Sequence, residues 1–570
     1  MSKPSEKVQA TRRTLTDAQE QGGFAPLLAY LRLSGPGWLQ SAITLGGGSL
    51  AGSLFLGVLG GTSLLWLQLV AIGMGVVMLS AISYVTLSTG ERPFRSINRH
   101  INPVLGWGWL IATIMANMIW CMPQFSLCFA ALQKNLIGQP LNESLFSKLI
   151  VSGTILAATF CVVLMNRRQG IGARIFDLFL KALVGMIVLC FFGVVVYLST
   201  KGDLNWSTIL AGFIPDFNQA NHPTGDLATL VDSLPEPIRE FWSSKIMKEQ
   251  RAVMIGAAAT AVGINMTFLL PYSMLNRGWD KPFRGLARFD LCTGMAIPFL
   301  IVTSCVVIAS ANSFHAVIDD PLKSQDPDVM ATSEFYAGAK PLLEERLKFS
   351  NTNNFSNIAK MPEAEKRIAV SLVRRNAFQL SQSLAPLLGE RNANLVFGLG
   401  IFGMGFSTII ILMLINGYAF CEMTGTEQGS PAFVAGCLVS GITGAMWPLI
   451  WDGPAKLWLA ILTSSFGMML LPIAYFTFFI MMNNKTIMGA EKPTGGKMTL
   501  WNVLMGLSVL GALAAAGSAI WEKIKPIFDS EAKLVPQIAG YVVLGFTCAF
   551  IGLVILGFIL KKPERKASAE

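Results

Sequence analysis

Apolar residues in this chain gather into long unbroken runs separated by short polar stretches, with no strand-like alternation. A helix of about 20 apolar residues crosses a hydrocarbon core of about 30 Å. Twelve runs are predicted as such spans, near 34–60, 62–90, 103–134, 148–166, 175–199, 252–275, 287–311, 393–421, 431–450, 455–482, 498–520 and 536–560. The expectation is an all-α polytopic membrane protein. Two longer polar connections interrupt the rhythm. One covers 200–251 and holds Asp203, Asp216, Asp226, Asp232, Glu236 and Glu240; the other covers 312–392, with helical-looking stretches near 335–348 and 362–386.

Composition agrees with the pattern. Hydrophobic residues make up 52% of the 570 positions and charged residues 14%, against about 25% charged in soluble domains. The net charge of +10 does not describe a nucleic-acid face, because the basic residues sit in short loops between spans. Those loops read Glu91-Arg92-Pro93-Phe94-Arg95 with Arg99, then Arg167-Arg168 with Arg174, then Arg277, Lys281, Arg284 and Arg288, then Lys485, Lys492 and Lys497. The tail from Lys561-Lys562 to Arg565-Lys566 falls on the same side. Short Lys/Arg-rich loops mark a cytoplasmic face, so both termini are expected there, in a cell (inner or plasma) membrane. The polar, mixed-charge opening stretch carries no expected cleavable signal. The cysteines lie in or at the ends of apolar runs without CxxC spacing, which suits small buried hydrophobes and not a disulfide framework.

Two spans are poor helices. The first contains Gly35-Pro36-Gly37 and then Thr44-Leu45-Gly46-Gly47-Gly48-Ser49. Each glycine inside a helix costs about 1 kcal/mol relative to alanine, and freed backbone at membrane depth must line a cavity or be buried in protein. The sixth contains Gly263-Ile264-Asn265-Met266-Thr267, with Pro271 beyond. Paired interruptions in spans one and six fit a five-plus-five inverted repeat with its substrate site at the breaks. The plainer alternative is that these glycines serve close helix packing. On the repeat reading, residues 1–33 precede the first half at 34–199. The second half then covers 252–482, and 483–570 add two further spans and a tail. Residues Gly46, Gly47 and Gly48 are expected to leave the helix.

Several short motifs now resemble the Nramp family of proton-coupled divalent-metal transporters, whose fold is the LeuT-type inverted repeat. Gly35-Pro36-Gly37-Trp38-Leu39 is similar to the family's GPGFL, and Gly172-Ala173-Arg174 with Asp177 to its GxRKLE. Phe314-His315 resembles its FH, and Phe406-Ser407-Thr408-Ile409 through Asn416-Gly417-Tyr418 its SSTI…GQ. Leu471-Pro472-Ile473-Ala474 and Ile487-Met488-Gly489 resemble its LPFA and kxMG. The resemblance implies a transporter with no resident cofactor, not an enzyme, and divalent metal ions as substrate.

The site residues depart from that pattern. The family's DPGN falls on Gly46-Gly47-Gly48-Ser49, and its MPH on Val262-Gly263-Ile264. The metal-binding aspartate is therefore a glycine here, and neither the thioether nor the histidine is in place. No Asp or Glu stands in the middle of a span; Asp177, Asp290 and Glu422 lie near span ends, and Asp177 with Lys181 reads as a local ion pair. His100, His222 and His315 lie in loops or at span ends. A proton relay of the family type lacks its parts.

What remains is a neutral polar cavity. Its candidate substrate-binding residues are Thr44, Leu45, Gly46, Gly47, Gly48, Ser49, Gly263, Ile264, Asn265, Met266, Thr267 and Ser464, with Asn117 and Gln124 nearby. Half-helix N-termini suit anions and the opposing carbonyl ends suit cations. Three readings follow: a carrier of a hydrated divalent metal ion, a carrier of another small neutral or anionic solute, or a transport-inactive scaffold or sensor.

Overall fold

The computed structural model of the protein describes residues 6–33, 37–138, 141–167, 171–349, 358–375, 379, 390–427, 429–450, 456–529 and 534–560. Gly35, Pro36, Arg168, most of 376–386, the tail from Lys561, and the side chains of Arg174, Asp177 and Lys181 lie outside the described residues. Among the described residues every regular element is helical. Ten helical stretches are long and apolar enough to span a membrane, and two shorter apolar helices, Gly47–Gly60 and Pro431–Ala445, complete the twelve.

Two helices, α1 (Glu6–Gln21) and α2 (Ala25–Leu33), precede the first span. They are not a loose polar lead. Leu15 is fully buried, Arg12 pairs with Asp280, and the Gln19 amide donates to the Pro282 carbonyl at 3.2 Å. The first span is two helices, α3 (Gly37–Thr44) and α4 (Gly47–Gly60), followed by α5 (Leu65–Thr89). After the short α6 (Pro93–His100) come α7 (Pro103–Ala131), α8 (Leu145–Arg167) and α9 (Ile171–Lys201). The sixth span is again split, into α10 (Ile238–Ala261) and α11 (Ile264–Asn276). The seventh ends in α12 (Ile297–Phe314). The loop helices α13 (Tyr336–Phe349) and α14 (Glu363–Leu372) lead to α15 (Glu390–Thr424), α16 (Pro431–Ala445), α17 (Lys456–Asn483), α18 (Gly495–Ile524) and α19 (Leu534–Ile559).

Lipid tails are as apolar as leucine, so helices in a membrane associate through close packing of small residues and polar bonds. Gly52 of α4 shows this against α10. A Cβ there would stand 3.0 Å from the Ala257 Cα, so only glycine lets the outer halves of the two broken spans touch backbone to backbone. At the other extreme, none of the most apolar stretch of α19 is buried, which leaves it for lipid. Cys161, Cys292 and Cys548 also face outward from the protein, while the other described cysteines are buried.

The basic loops converge on one face. Glu491 accepts from Lys281 Nζ at 2.6 Å and Arg284 at 2.7 Å, and these cations hold its carboxyl down at about 2. Arg92 meets the buried carboxylate of Glu422 at 2.6 Å. On the opposite face the two long connections do not stay separate. Leu227, Val231, Phe241 and Trp242 from the first share one hydrophobic core with Leu322, Met330, Leu343 and Ile368 from the second. At its centre Glu365, fully buried, takes Arg346 at 2.7 Å and the Trp242 indole N–H at 2.8 Å.

The first connection is also shorter than the sequence suggested. Residues 238–251 belong to α10, whose charged outer turns (Lys245, Lys248, Glu249, Arg251) mask an inward stripe of Phe241, Trp242, Ile246 and Gln250. His315 joins the loop unit to the span beneath it. Its Nδ1 lies 2.9 Å from the Val58 carbonyl of α4, and its Nε2 accepts the Asp226 N–H at 2.9 Å. Burial pushes its pKa below the ordinary histidine value.

Candidate functional site

Both breaks open onto one central cavity. It offers about 40 Å³ to water, enough for about three molecules. Its lining includes Ile43, Gly46, Gly48 and Ser49 from the first span, and Ala259, Thr260, Gly263, Asn265 and Met266 from the sixth. Trp120 and Gln124 of α7, Thr408 and Leu412 of α15, and Ser464 of α17 close it.

The backbone is extended just before helix resumes at each break, at Gly46 in the first and at both Val262 (φ −145°, ψ 111°) and Gly263 in the sixth. Gly46 has φ −90° and ψ 179°, and Gly263 has φ −90° and ψ 166°. Neither N-cap residue supplies a side-chain cap. The expectation that all three glycines leave the helix is corrected: Gly47 and Gly48 form the first turn of α4. The first turn of a helix has no intrahelical partners for its N–H groups in any case, so glycine in this turn exposes backbone without unwinding it. Gly47 points away from the cavity, its N–H donating to Gln124 Oε1 at 2.9 Å.

The polar lining divides by what each group has left to offer. Ser49 gives its hydroxyl proton to the Thr44 carbonyl, and Thr260 gives its own to Ala257 at 2.8 Å. Thr408 donates to helix carbonyls at Met404 (2.8 Å) and Ala42 (3.0 Å). With their protons committed, these three lining residues have only lone pairs left to offer, as acceptors. Two amides do the reverse. Gln124 spends its oxygen on Gly47, and Asn265 spends its oxygen on the Met266 N–H at 2.8 Å. Asn265 Nδ2 is left buried and unpartnered.

Other predicted residues serve the walls. Thr44 caps its own helix at Gln40 (2.9 Å), and Leu45 is buried with its N–H on Ser41 at 2.8 Å. Thr267 donates to the Ile264 carbonyl at 2.5 Å and accepts the Trp109 indole N–H at 3.0 Å. Thus Thr44, Leu45, Gly47, Ile264 and Thr267 do not line the cavity. Asn117 is also off it, paired with Asn416 at 2.7 Å. The sequence reading missed Ile43, Trp120, Ala259, Thr260, Thr408 and Leu412. Among the described residues no cluster of three His, Cys, Asp or Glu could hold a metal ion, and no carboxylate or imidazole lines this cavity.

Trp120 is wedged between the sixth and tenth spans. A Cβ on Gly263 would stand 2.6 Å from its Cζ3, and one on Gly467 2.7 Å from its Cε2. Its Nε1 donates to the Thr463 carbonyl at 3.0 Å.

Among the described residues, ten long apolar helical stretches and two shorter ones, with the first and sixth spans broken at matching places around one cavity, define a multi-pass protein of the LeuT-type inverted-repeat fold. A solved manganese transporter of Eremococcus coleocola has the same architecture, with a TM-score of 0.64 over 94% of this chain and 96% of that one at 14% identity. The chain belongs to the Natural resistance-associated macrophage protein-like (Nramp) family, whose model matches residues 37–346 and 359–519. It is 26% identical over 235 residues to Metal transporter Nramp6.2 of Populus trichocarpa, and 29% identical over 170 residues to Metal transporter Nramp3 of Arabidopsis thaliana. Those alignments span 39% and 31% of the two relatives, less than half of either.

Proposed function

We propose that this protein carries divalent metal ions across a cell (inner or plasma) membrane and holds the ion, still partly hydrated, between the two helix breaks. The observation that carries the reading is the lining trio Ser49, Thr260 and Thr408, whose committed hydroxyls have only lone pairs left to offer. Bare divalent cations need anionic or strongly polar ligands to offset desolvation. Water kept on the ion presents its hydrogens outward, and neutral hydroxyl oxygens accept them. Family membership and the metal-transporter names of its relatives support the cation as substrate. On this reading the basic-loop face and both termini are cytoplasmic, and the ion is not coupled to protons through a central carboxylate.

A thermal-shift screen of the purified full chain tests it against divalent metals, small anions and neutral amino acids. A ligand at 100 times its dissociation constant stabilises by about 2.7 kcal/mol. Stabilisation by metals, lost in Thr408→Val, is the expected result. Stabilisation only by amino acids or other neutral solutes would replace the metal with another cargo.

A further inference from the structure

The cavity has a second chemistry that a hydrated cation leaves unused. At each break an amide side chain turns its carbonyl oxygen to a backbone N–H of the outgoing half-helix: Gln124 to Gly47 and Asn265 to Met266. Only oxygen can accept there, so the orientation of both amides is set by chemistry, and both NH2 groups are the ends left over. Asn265 is fully buried and its Nδ2 has no partner. The Gln124 side chain lines the same cavity and, among the described residues, its Nε2 has no protein partner. Two helix N-termini open at the same place, those of the 14-residue α4 and the 13-residue α11, behind N-cap glycines that bring no side chain to their amides. Each adds the positive end of a helix dipole and free N–H groups.

Donors and positive dipole ends repel a bare cation and attract a negative charge. A doubly charged ion placed here also meets no fixed countercharge, since among the described residues no carboxylate lines the cavity. The two facts have one solution. We propose that the cavity binds a small inorganic anion of halide size on Gln124 Nε2, Asn265 Nδ2 and the two half-helix N-termini, and that this anion supplies the countercharge for the cation. Halide size follows from the room available, about 40 Å³ for ion, anion and water together. The inference rests on the cation reading above: the hydroxyl trio takes the hydrated metal, and the amide pair takes its counterion.

The test measures manganese and magnesium binding to the full chain by thermal shift and calorimetry, in chloride and in methanesulfonate at equal ionic strength and equal free metal. Metal binding at least tenfold weaker in methanesulfonate supports the proposal. So does a melting shift produced by chloride titrated without metal. Gln124→Glu and Asn265→Asp keep each capping oxygen and replace the NH2 donor with a second, negatively charged oxygen. In either variant the metal should bind with the chloride dependence reduced or gone; a metal-free melting curve like the wild type's shows that the variant is folded. Equal metal affinity in both salts would overturn the anion and leave the cation reading intact. Variants that fold yet keep the full chloride dependence would overturn it too. Failure of every metal in both salts would overturn the cation reading itself, and the chloride titration alone would then decide the anion.

Discussion

Trp120 offers a sharp test of the packing around the cavity. A Cβ on Gly467 would stand 2.7 Å from Trp120 Cε2, where carbon atoms prefer about 3.5–4.0 Å. Cζ2 would lie closer still, so the ring must move by about 1.5 Å or more. Its retreat is limited, because Gly263 packs against the adjoining Cη2–Cζ3 edge and the indole N–H is held by Thr463. Overpacking of a rigid site costs about 1–3 kcal/mol, and with the ring held at that edge and at its N–H, Gly467→Ala should fall near the upper end. Trp120→Phe removes the far edge of the ring, so the same alanine should then cost less than about 0.5 kcal/mol. The assay is reversible unfolding of the purified protein in micelles across the four members of the double-mutant cycle. An equal loss in both backgrounds would refute the wedge. In the single alanine variant the displaced indole also enters the cavity, so metal affinity should fall together with stability.

Glu365→Ala would strand Arg346 inside the loop unit, and breaking a buried pair costs about 3–5 kcal/mol; limited proteolysis of 316–349 should accelerate, and an unchanged cleavage rate would argue against a cooperative core. The depressed pKa of His315 means that its neutral form belongs to the folded state, so its stabilisation is present above about pH 6.5 and is lost as pH falls through its lower folded value. Protection of the Asp226 amide against hydrogen exchange, taken relative to the intrinsic rate at each pH, should fall on acidification, and His315→Gln should flatten that dependence. A cysteine introduced at Arg168 or Glu570 should react with impermeant reagents only from the cytoplasm, and one at Gly338 only from outside; the reverse labelling would invert the topology. Metal uptake into proteoliposomes should proceed without stoichiometric acidification, because among the described residues no titratable carboxylate or imidazole lines the cavity.

Span number and the positions of both breaks were legible because run length and glycine carry direct physical cost in a bilayer. The rotation of each helix was not. Thr260 and Thr408 look like ordinary threonines in apolar spans; only the turn of α10 and α15 about their axes decides that they reach the cavity while Thr267 and Asn117 do not. The triple glycine was over-read for a related reason. Its composition signalled exposed backbone, but a helix N-terminus exposes N–H groups while its residues are already helical, as Gly47 and Gly48 are. The shared core of the two long connections was invisible because Trp242 and Glu365 are 123 positions apart, and no local pattern links them.

One further property follows from the unbroken course of α10. Its 24 residues run from the core of the loop unit, at Trp242, to the cavity wall at Thr260. The 18 steps between those two residues make a strut of about 27 Å at 1.5 Å per residue. A strut of that length is a lever: tilting the loop unit by about 5° about its own core sweeps Thr260 through about 2.4 Å, close to the width of a water molecule. The accessible surface of the protein and its buried hydroxyls are thus two ends of the same beam, and whatever steadies the one steadies the other.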